Sequence, residues 1–430
     1  MLPLDTVSNS GYLNTDIFPM LEKLRDANVN GIMVDVWWGI TEPTPKTYNF
    51  APYLQLAQKC QSLGLRLQCV MSFHRCGGNV GDTVTIPLPS WVLQVPGIYY
   101  KDKHGNEDDE YISLAFDNTP LFSGRTPLQC YRDFMTAFKS AMGSYFGTTI
   151  EEIQVGCGPC GELRYPSYVT SVWKFPGVGE FQCYDEGMKA DWEKEVTQIG
   201  HQDWIELPQN TGNYNDTPDS IPFWQVNSGY SSSYSSPYGK FFLNWYSNCL
   251  LRHGHDVLLI ADQVFRDGQN KGSVSLACKI SGIHWWHGID RHPAEATAGY
   301  VNYGWYDGRG FYTRFASLCR QMGVLFDFTC FEMKNSEQTS SNANCQPEEL
   351  VKQVLMEVKQ AQCGICAENA LAMYDTDHCN QIIANAGSVK GKDGKGLVTA
   401  VTFLRLTSEL VNNGNNYNAF KTFVNTLKSV

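Results

Sequence analysis

The sequence GIMVDVW occupies residues 31–37, APYLQLAQKCQSL follows at 51–63, and LRLQCVMSF occupies 65–73. The first and third segments are almost continuously apolar, which is typical of strands buried on both faces of a parallel sheet. The middle segment has the apolar spacing of an amphipathic helix, and Gly64 marks its end. A strand, a helix and a strand in this order predict a β-α-β unit, and therefore an α/β fold.

The alternation of apolar and amphipathic segments continues along the chain. Residues 1–4 are expected to be the end of a first strand. No low-complexity tract or linker separates the segments, so we expect a single domain over 1–430, a length that suits a (β/α)8 barrel. Helices are also predicted at 17–28 and 417–430, and further strands at 151–157, 273–280, 324–329 and 397–404.

The composition restricts the class of partner. The chain of 430 residues has a net charge of −11, and it lacks the clustered Lys and Arg that neutralise phosphates, which argues against a nucleic-acid partner. No apolar run approaches the roughly 20 residues that span a bilayer, and residues 1–9 do not form a secretory leader. We therefore expect a soluble protein, either cytoplasmic or secreted. An aromatic content of 13% suits stacking on sugar rings.

Two long segments, 77–116 and 164–239, are predicted to be irregular. Loops of this length inside a compact domain are usually functional, and in a barrel they are expected at the C-terminal face of the strands. The sequence HRCGGNVGD at 74–82 contains three glycines, which allow a loop to move over a substrate. Because it lacks the Lys-Ser/Thr pair and the following helix of a phosphate-binding loop, we predict a lid over a sugar pocket.

Two glutamates follow predicted strands and are candidates for acid–base chemistry. Glu162 lies in GELRYP and Glu368 in CAENA. Glycoside hydrolysis requires two carboxyl groups, one protonated and one ionised, and burial can keep the acid protonated. Glu332 and Glu337 compete for the same roles. Asp35, an acid inside an apolar strand, either supports the fold through hydrogen bonds or lines the site.

The cysteines form two CxxC motifs, CGPC at 157–160 and CGIC at 363–366, within an odd total of 15. A thiol-disulfide enzyme requires such a motif at a helix N-terminus that lowers one thiol pKa, whereas residues 161–166 have the pattern of a loop. If the two motifs met in space, they would form a four-cysteine zinc site. A third interpretation is that they are small buried thiols.

Longer motifs resemble those of the β-amylase family, in that family's order and over nearly the whole chain. They are VDVWWG (34–39), HRCGGNVGD (74–82), GP (158–159) with GELRYPS (161–167), FPG (175–177) with GEFQCYD (179–185), KISGIHWW (279–286), FTC (328–330) with EM (332–333) and SEQ (336–338), ENAL (368–371) and LRL (404–406). The resemblance implies a single (β/α)8 barrel with a lidded pocket at the C-terminal face of its strands. Because the chain ends after the last predicted helix, we expect no separate starch-binding domain.

The resemblance also implies an activity and its residues. The expected activity is exo-acting, inverting hydrolysis of α-1,4-glucans such as starch, glycogen and maltooligosaccharides, with release of β-maltose and without a metal or cofactor. Glu162 is implied as the general acid, Glu368 as the general base, and Thr329 as the residue that stabilises the deprotonated acid. The implied sugar-binding residues are Asp35, His74, Asp82, Lys279, His284, Asn369, Ala370 and Arg405.

Two alternatives remain at this point. A retaining glycosidase on the same barrel would hold its carboxyl groups about 5 Å apart, whereas inversion requires roughly 6.5–9.5 Å. A catalytically weak protein that senses maltose or glucans would keep the fold without the turnover. The sequence does not predict an oligomeric state.

Overall fold

A computed structural model of the chain describes residues 1–226, 232–266, 274–305, 307–391 and 394–429. The strands are β1 (Gly31–Trp37), β2 (Arg66–Ser72), β3 (Tyr99–Lys101), β4 (Glu107–Ile112), β5 (Ile150–Val155), β6 (Ser275–Ile280), β7 (Leu325–Phe328), β8 (Ile365–Glu368) and β9 (Val398–Thr402). Within the described residues, seven of them form one parallel sheet in the order β1-β2-β5-β6-β7-β8-β9, while β3 and β4 pair separately as antiparallel strands.

Helices alternate with the strands of the large sheet. They are α1 (Phe18–Asp26), α2 (Trp38–Thr41), α3 (Ala51–Leu63), α4 (Ser90–Leu93), α5 (Pro127–Met142), α6 (Glu186–Gln198), α7 (Pro237–Phe265), α8 (Pro293–Thr297), α9 (Phe311–Met322), α10 (Pro347–Ala361), α11 (Thr376–Ser388), α12 (Ser408–Asn412) and α13 (Gly414–Leu427). Local chemistry sets several of the bounds: Thr126 and Gln129 form a capping box at the start of α5, and Gly64 ends α3 in the left-handed conformation with φ 69°.

The first residues of the chain close the barrel. The amide of Leu2 donates to Met33 O in β1 at 2.8 Å, and the amide of Leu406, beyond β9, donates to Met1 O at 2.8 Å. The N-terminal amine also donates to Phe403 O at 2.8 Å. Residues 1 and 2 therefore lie between the first and last strands of the parallel sheet, and the predicted barrel is confirmed.

The prediction of irregular structure in both long loops is partly wrong. Segment 77–116 contains α4 and the β3–β4 hairpin, and segment 164–239 contains α6. The sequence pattern did not predict the hairpin, because β3 has only three residues and β4 begins with four acidic residues, Glu107-Asp108-Asp109-Glu110. Acidic residues are depleted in strands. Residues 227–231 of the second loop, Ser273 of a predicted strand and Val430 of the predicted final helix lie outside the described residues.

The two ends of the barrel differ. At the N-terminal ends of the strands, a cavity of about 580 Å³ lies between β1 and β9, and residues such as Gly31, Arg66 and Glu152 line it. Glu162 and Glu368 lie at the opposite, C-terminal ends of the strands, where barrel enzymes carry their active sites. No helix among the described residues is long and apolar enough to cross a membrane.

Candidate functional site

The parallel register brings polar side chains together at the C-terminal ends of the strands. Lys279 in β6 pairs with Asp327 in β7, and the segment after β5 returns to the sheet, where Glu162 forms a parallel bridge with Lys279. Glu368 is the last residue of β8. Because parallel strands end at the same edge, side chains far apart in sequence share one site.

Glu162 is held by two side chains to which the sequence analysis assigned no role. The Arg164 guanidinium Nε donates to Glu162 Oε2 at 2.8 Å, and the Ser281 hydroxyl donates to the same oxygen. Thr329 lies beside this pair, and its hydroxyl oxygen accepts from the Gly282 amide at 2.7 Å. Both missed residues lie in the quoted motifs, but only the folded geometry shows that they point at one carboxylate.

Glu368 is fully buried and has a cation on one side. Lys279 Nζ lies 3.3 Å from Glu368 Oε2. Burial opposes the charge on Lys279, but the carboxylates of Glu368 and Glu162 outweigh burial and raise the pKa of the ammonium. Lys279 therefore stays positively charged between the two glutamates, and its field acts on both.

Asp327 lies against the other side of Glu368. Burial, followed by the neighbouring Glu368 carboxylate, raises the pKa of Asp327 well above its usual range, and Lys279 only partly opposes this. Asp327 Oδ2 accepts from the Gln154 amide, while Asp327 Oδ1 and Glu368 Oε1 are buried without another partner among the described residues. A proton on Asp327 would satisfy both oxygens, and the raised pKa of Asp327 favours its protonated form.

The lid predicted at 74–82 contacts the same network. Asp82 Oδ2 accepts from the amides of Gly77 at 2.9 Å and Asn79 at 3.0 Å, so its carboxylate organises the turn. The lid needs its glycines because Gly77 has φ 105° and Gly78 has φ 133°, which L side chains rarely adopt. Arg164 Nη2 donates to Asn79 Oδ1 at 3.0 Å, which connects the lid to the guanidinium that holds Glu162.

The structure separates the competing glutamates from the site. The Glu332 carboxylate accepts from the amide of Ala370 at 2.9 Å and from that of Leu371 at 2.7 Å, so it supports the loop after β8. Glu337 forms an ion pair with His378 at 3.0 Å near the surface. Neither carboxyl group is placed to share the chemistry of Glu162 and Glu368.

Two further predicted sugar-binding residues are polar groups in buried surroundings. Asp35 accepts from the Ser72 hydroxyl at 2.8 Å, and burial raises its pKa although Arg405 and Ser72 oppose the rise. Burial, together with the cations Lys279, Arg164 and Arg75, lowers the pKa of His74 to about 3. The His74 imidazole is therefore neutral, and its buried Nδ1 has no partner in the described part of the chain.

The remaining predicted residues occupy the loops around the strand ends. His284 Nε2 lies 2.8 Å from Gln338 Oε1, and Arg405 Nη1 donates to Leu2 O at 3.2 Å. The Asn369 side chain donates to Leu404 O at 2.6 Å and accepts from the Leu404 amide at 2.7 Å. Asn369 therefore joins the ends of β8 and β9 beside the buried Glu368.

The CxxC motifs do not form the sites that the spacing allowed. Cys157 Sγ lies 3.9 Å from Cys278 Sγ, and this contact together with burial raises the Cys157 pKa. The thiols of 157–160 and 363–366 do not come together as metal ligands in the described residues. The short turn at Pro159–Gly161 supplies no helix that would lower a thiol pKa. The zinc and redox interpretations are therefore not supported, and buried thiols are favoured.

Comparison with known proteins gives concordant results. Residues 1–430 match the family described as Glycosyl hydrolase family 14. A β-amylase of Vigna unguiculata is 45% identical over 436 residues, covering 99% of this chain and 85% of that protein, and the β-amylase Tri a 17 of Triticum aestivum is 44% identical with 99% and 84% covered. The crystal structure of the catalytic domain of β-amylase from Paenibacillus polymyxa superposes with a TM-score of 0.77 at 27% identity, covering 98% of this chain and 96% of that one.

Proposed function

The chain belongs to glycosyl hydrolase family 14, and from this premise we propose how it hydrolyses α-1,4-glucans and releases maltose from their non-reducing ends. Glu162 protonates the glycosidic oxygen, and Glu368 activates the water that attacks the anomeric carbon from the opposite face. The residues proposed to contact the sugars are Asp35, His74, Asp82, Lys279, His284, Asn369, Ala370 and Arg405. We further propose that 1–430 acts as one catalytic domain.

One observation carries the assignment of roles: the two carboxyl groups project from different walls of the barrel mouth. Glu162 follows β5 and Glu368 ends β8, with β6 and β7 between them. Neighbouring strands are about 4.8 Å apart, so the two backbones stand on the order of 10 Å or more apart along the sheet. This spacing leaves room for a sugar between an acid and a base, and the anomer of the first product distinguishes inversion from retention.

The surroundings of each glutamate suit its role. Arg164 and Ser281 stabilise the Glu162 carboxylate that remains after the proton is transferred, and we propose that Thr329 joins them when substrate is bound. Lys279 places a positive charge 3.3 Å from Glu368 Oε2, which suits a carboxylate that accepts a proton from water. The lid over 74–82 excludes water from the occupied pocket, which strengthens these electrostatic contacts.

The exo mode is tested with a pair of substrates that contain the same bonds. We expect maltoheptaose to yield maltose from the first time point, whereas cyclomaltoheptaose, which has no non-reducing end, stays intact when both are followed by chromatography. Cleavage of the cyclic glucan, or early longer products from soluble starch, would contradict the proposed mode.

Asp327 is proposed as a positioning residue that acts through Glu368. Its proton donates to Glu368, and a hydrogen bond to a charged group contributes roughly 1.5–3 kcal/mol. Asp327→Ala removes this donor from the base, so the acidic limb of the kcat–pH profile is expected to move upward by about one pH unit. Asp327→Asn keeps a donor toward Glu368 and an acceptor for Gln154, so its profile should stay close to the wild type.

The comparison of the two Asp327 variants separates positioning from packing. Thermal unfolding of each variant shows whether its barrel is intact at the assay temperature. An unshifted acidic limb in a folded Asp327→Ala variant would remove Asp327 from the mechanism, and so would an equal shift in both variants.

A further inference from the structure

A second cluster of ligating side chains lies where the loop after β6 enters α8, with Glu295 in the helix itself. His287 and Glu295 are buried, and the His292 side chain is 19% exposed. The cluster is distinct from Glu162 and Glu368. Among the described residues, it is the one group of at least three His, Cys, Asp or Glu side chains whose ligand atoms all lie within 4.8 Å of one another. Nothing in the proposed hydrolysis uses it.

The cluster brings three donor atoms to one point. His287 Nδ1 lies 2.9 Å and His292 Nδ1 lies 2.8 Å from the same oxygen, Glu295 Oε2. The other carboxylate oxygen, Oε1, accepts from the Tyr312 hydroxyl at 2.7 Å. Carboxylates that bind a metal are usually themselves oriented by such a hydrogen bond. The two imidazoles and the carboxylate thus converge with their orientation already set.

The backbone at His292 supports a role beyond packing. His292 has φ 37° and ψ 49°, a left-handed conformation that is uncommon for a residue with a side chain. Such strain persists where the surrounding structure enforces it, and it is concentrated at functional sites. Here the conformation turns the His292 ring toward Glu295, on the same side as His287.

We propose that His287, His292 and Glu295 bind one divalent transition-metal ion of the Zn²⁺ type. Imidazole nitrogen and carboxylate oxygen are the ligands that these ions take, at about 2.0–2.2 Å. Ligand atoms around a tetrahedral ion at that distance are about 3.3–3.6 Å apart, so the two Nδ1–Oε2 contacts have to lengthen by roughly half an ångström to admit the ion. The fourth ligand is a water on the side of His292, which is the most exposed of the three side chains.

The ion would fix a loop that also borders the sugar site. His284 lies on this loop, and the indoles of Trp285 and Trp286 donate to Gly177 O at 3.0 Å and Pro176 O at 2.6 Å. A metal between His287 and His292 closes the base of the loop and holds these contacts in place. The expected role of the ion is therefore structural, and hydrolysis does not require it.

Binding is measured on the whole protein after treatment with a chelator, with Zn²⁺ in calorimetry and Co²⁺ in visible absorption as the probes. We expect one ion per chain, a Co²⁺ spectrum of four-coordinate nitrogen and oxygen ligands without a thiolate charge-transfer band, and a Tm raised by about 2 °C or more at saturating Zn²⁺. His287→Phe and the milder His292→Gln should each weaken binding at least 100-fold.

The control variant is His255→Gln, because His255 also pairs with a carboxylate, Asp256, at 2.8 Å but has no second histidine in that pair. It should bind like the wild type. Wild-type affinity weaker than about 100 µM, or affinity unchanged in both His287→Phe and His292→Gln, would overturn the proposal. A thiolate band in the Co²⁺ spectrum would also overturn it, since the ion would then be bound by cysteines.

Discussion

Glu162→Gln is expected to lower kcat on soluble starch by about 10²- to 10⁴-fold, which is the usual contribution of a positioned general acid. Glutamine keeps the shape of the side chain and can still accept from Arg164 and Ser281, but it has no proton to give to the leaving oxygen. Maltose affinity should change little, because the barrel mouth and the lid are unaltered. Steady-state kinetics and calorimetry with maltose measure the two effects separately.

The substrate's leaving group shows whether the loss in Glu162→Gln is a loss of acid catalysis. Fluoride leaves with little need of a proton, so α-maltosyl fluoride should recover most of the wild-type rate in this variant. Glu337→Gln is the matched control, since Glu337 competes with Glu162 in the sequence but pairs with His378 near the surface. Near-native activity of Glu162→Gln on starch would remove Glu162 from the mechanism.

Glu368→Gln is expected to lower kcat by a similar 10²- to 10⁴-fold, and it should lower the rate on both starch and α-maltosyl fluoride. The amide cannot take a proton from the attacking water, and a better leaving group does not replace that function. Measuring kcat of Glu368→Gln and Glu162→Gln on both substrates distinguishes the loss of the base from the loss of the acid.

Because Glu368 is fully buried beside Lys279, its replacement leaves a buried cation with fewer partners. Thermal unfolding must therefore confirm that Glu368→Gln is folded at the assay temperature. If α-maltosyl fluoride restored the rate of Glu368→Gln as far as it restores that of Glu162→Gln, the assignment of Glu368 as the base would be contradicted.

The sequence predicted the barrel well because its signal is local. Continuous apolar strands such as 31–37 and amphipathic helices such as 51–63 are visible in one short window, and the structure places β1 and α3 there. The β3–β4 hairpin was missed for the opposite reason, since four acidic residues at the start of a strand carry no local strand signal. Its formation depends on contacts with the surrounding loops.

The site was predictable only in part. Glu162 and Glu368 stand at strand ends within recognisable motifs, so their candidacy followed from sequence. Asp327 did not, because its contact with Glu368 depends on the register of β7 against β8, and register is a property of the whole sheet. The same holds for Ser281, whose hydroxyl reaches Glu162 only across the bridge between the β5 loop and β6.

The most direct measurement of inverting hydrolysis is proton NMR of the first sugar released from soluble starch, recorded before mutarotation. We expect β-maltose as the initial product, since water activated by Glu368 attacks opposite the bond that Glu162 protonates. α-Maltose would mean retention and a carboxyl group acting as nucleophile, which contradicts the assigned roles. No released sugar from a folded, maltose-binding protein would favour a glucan sensor instead.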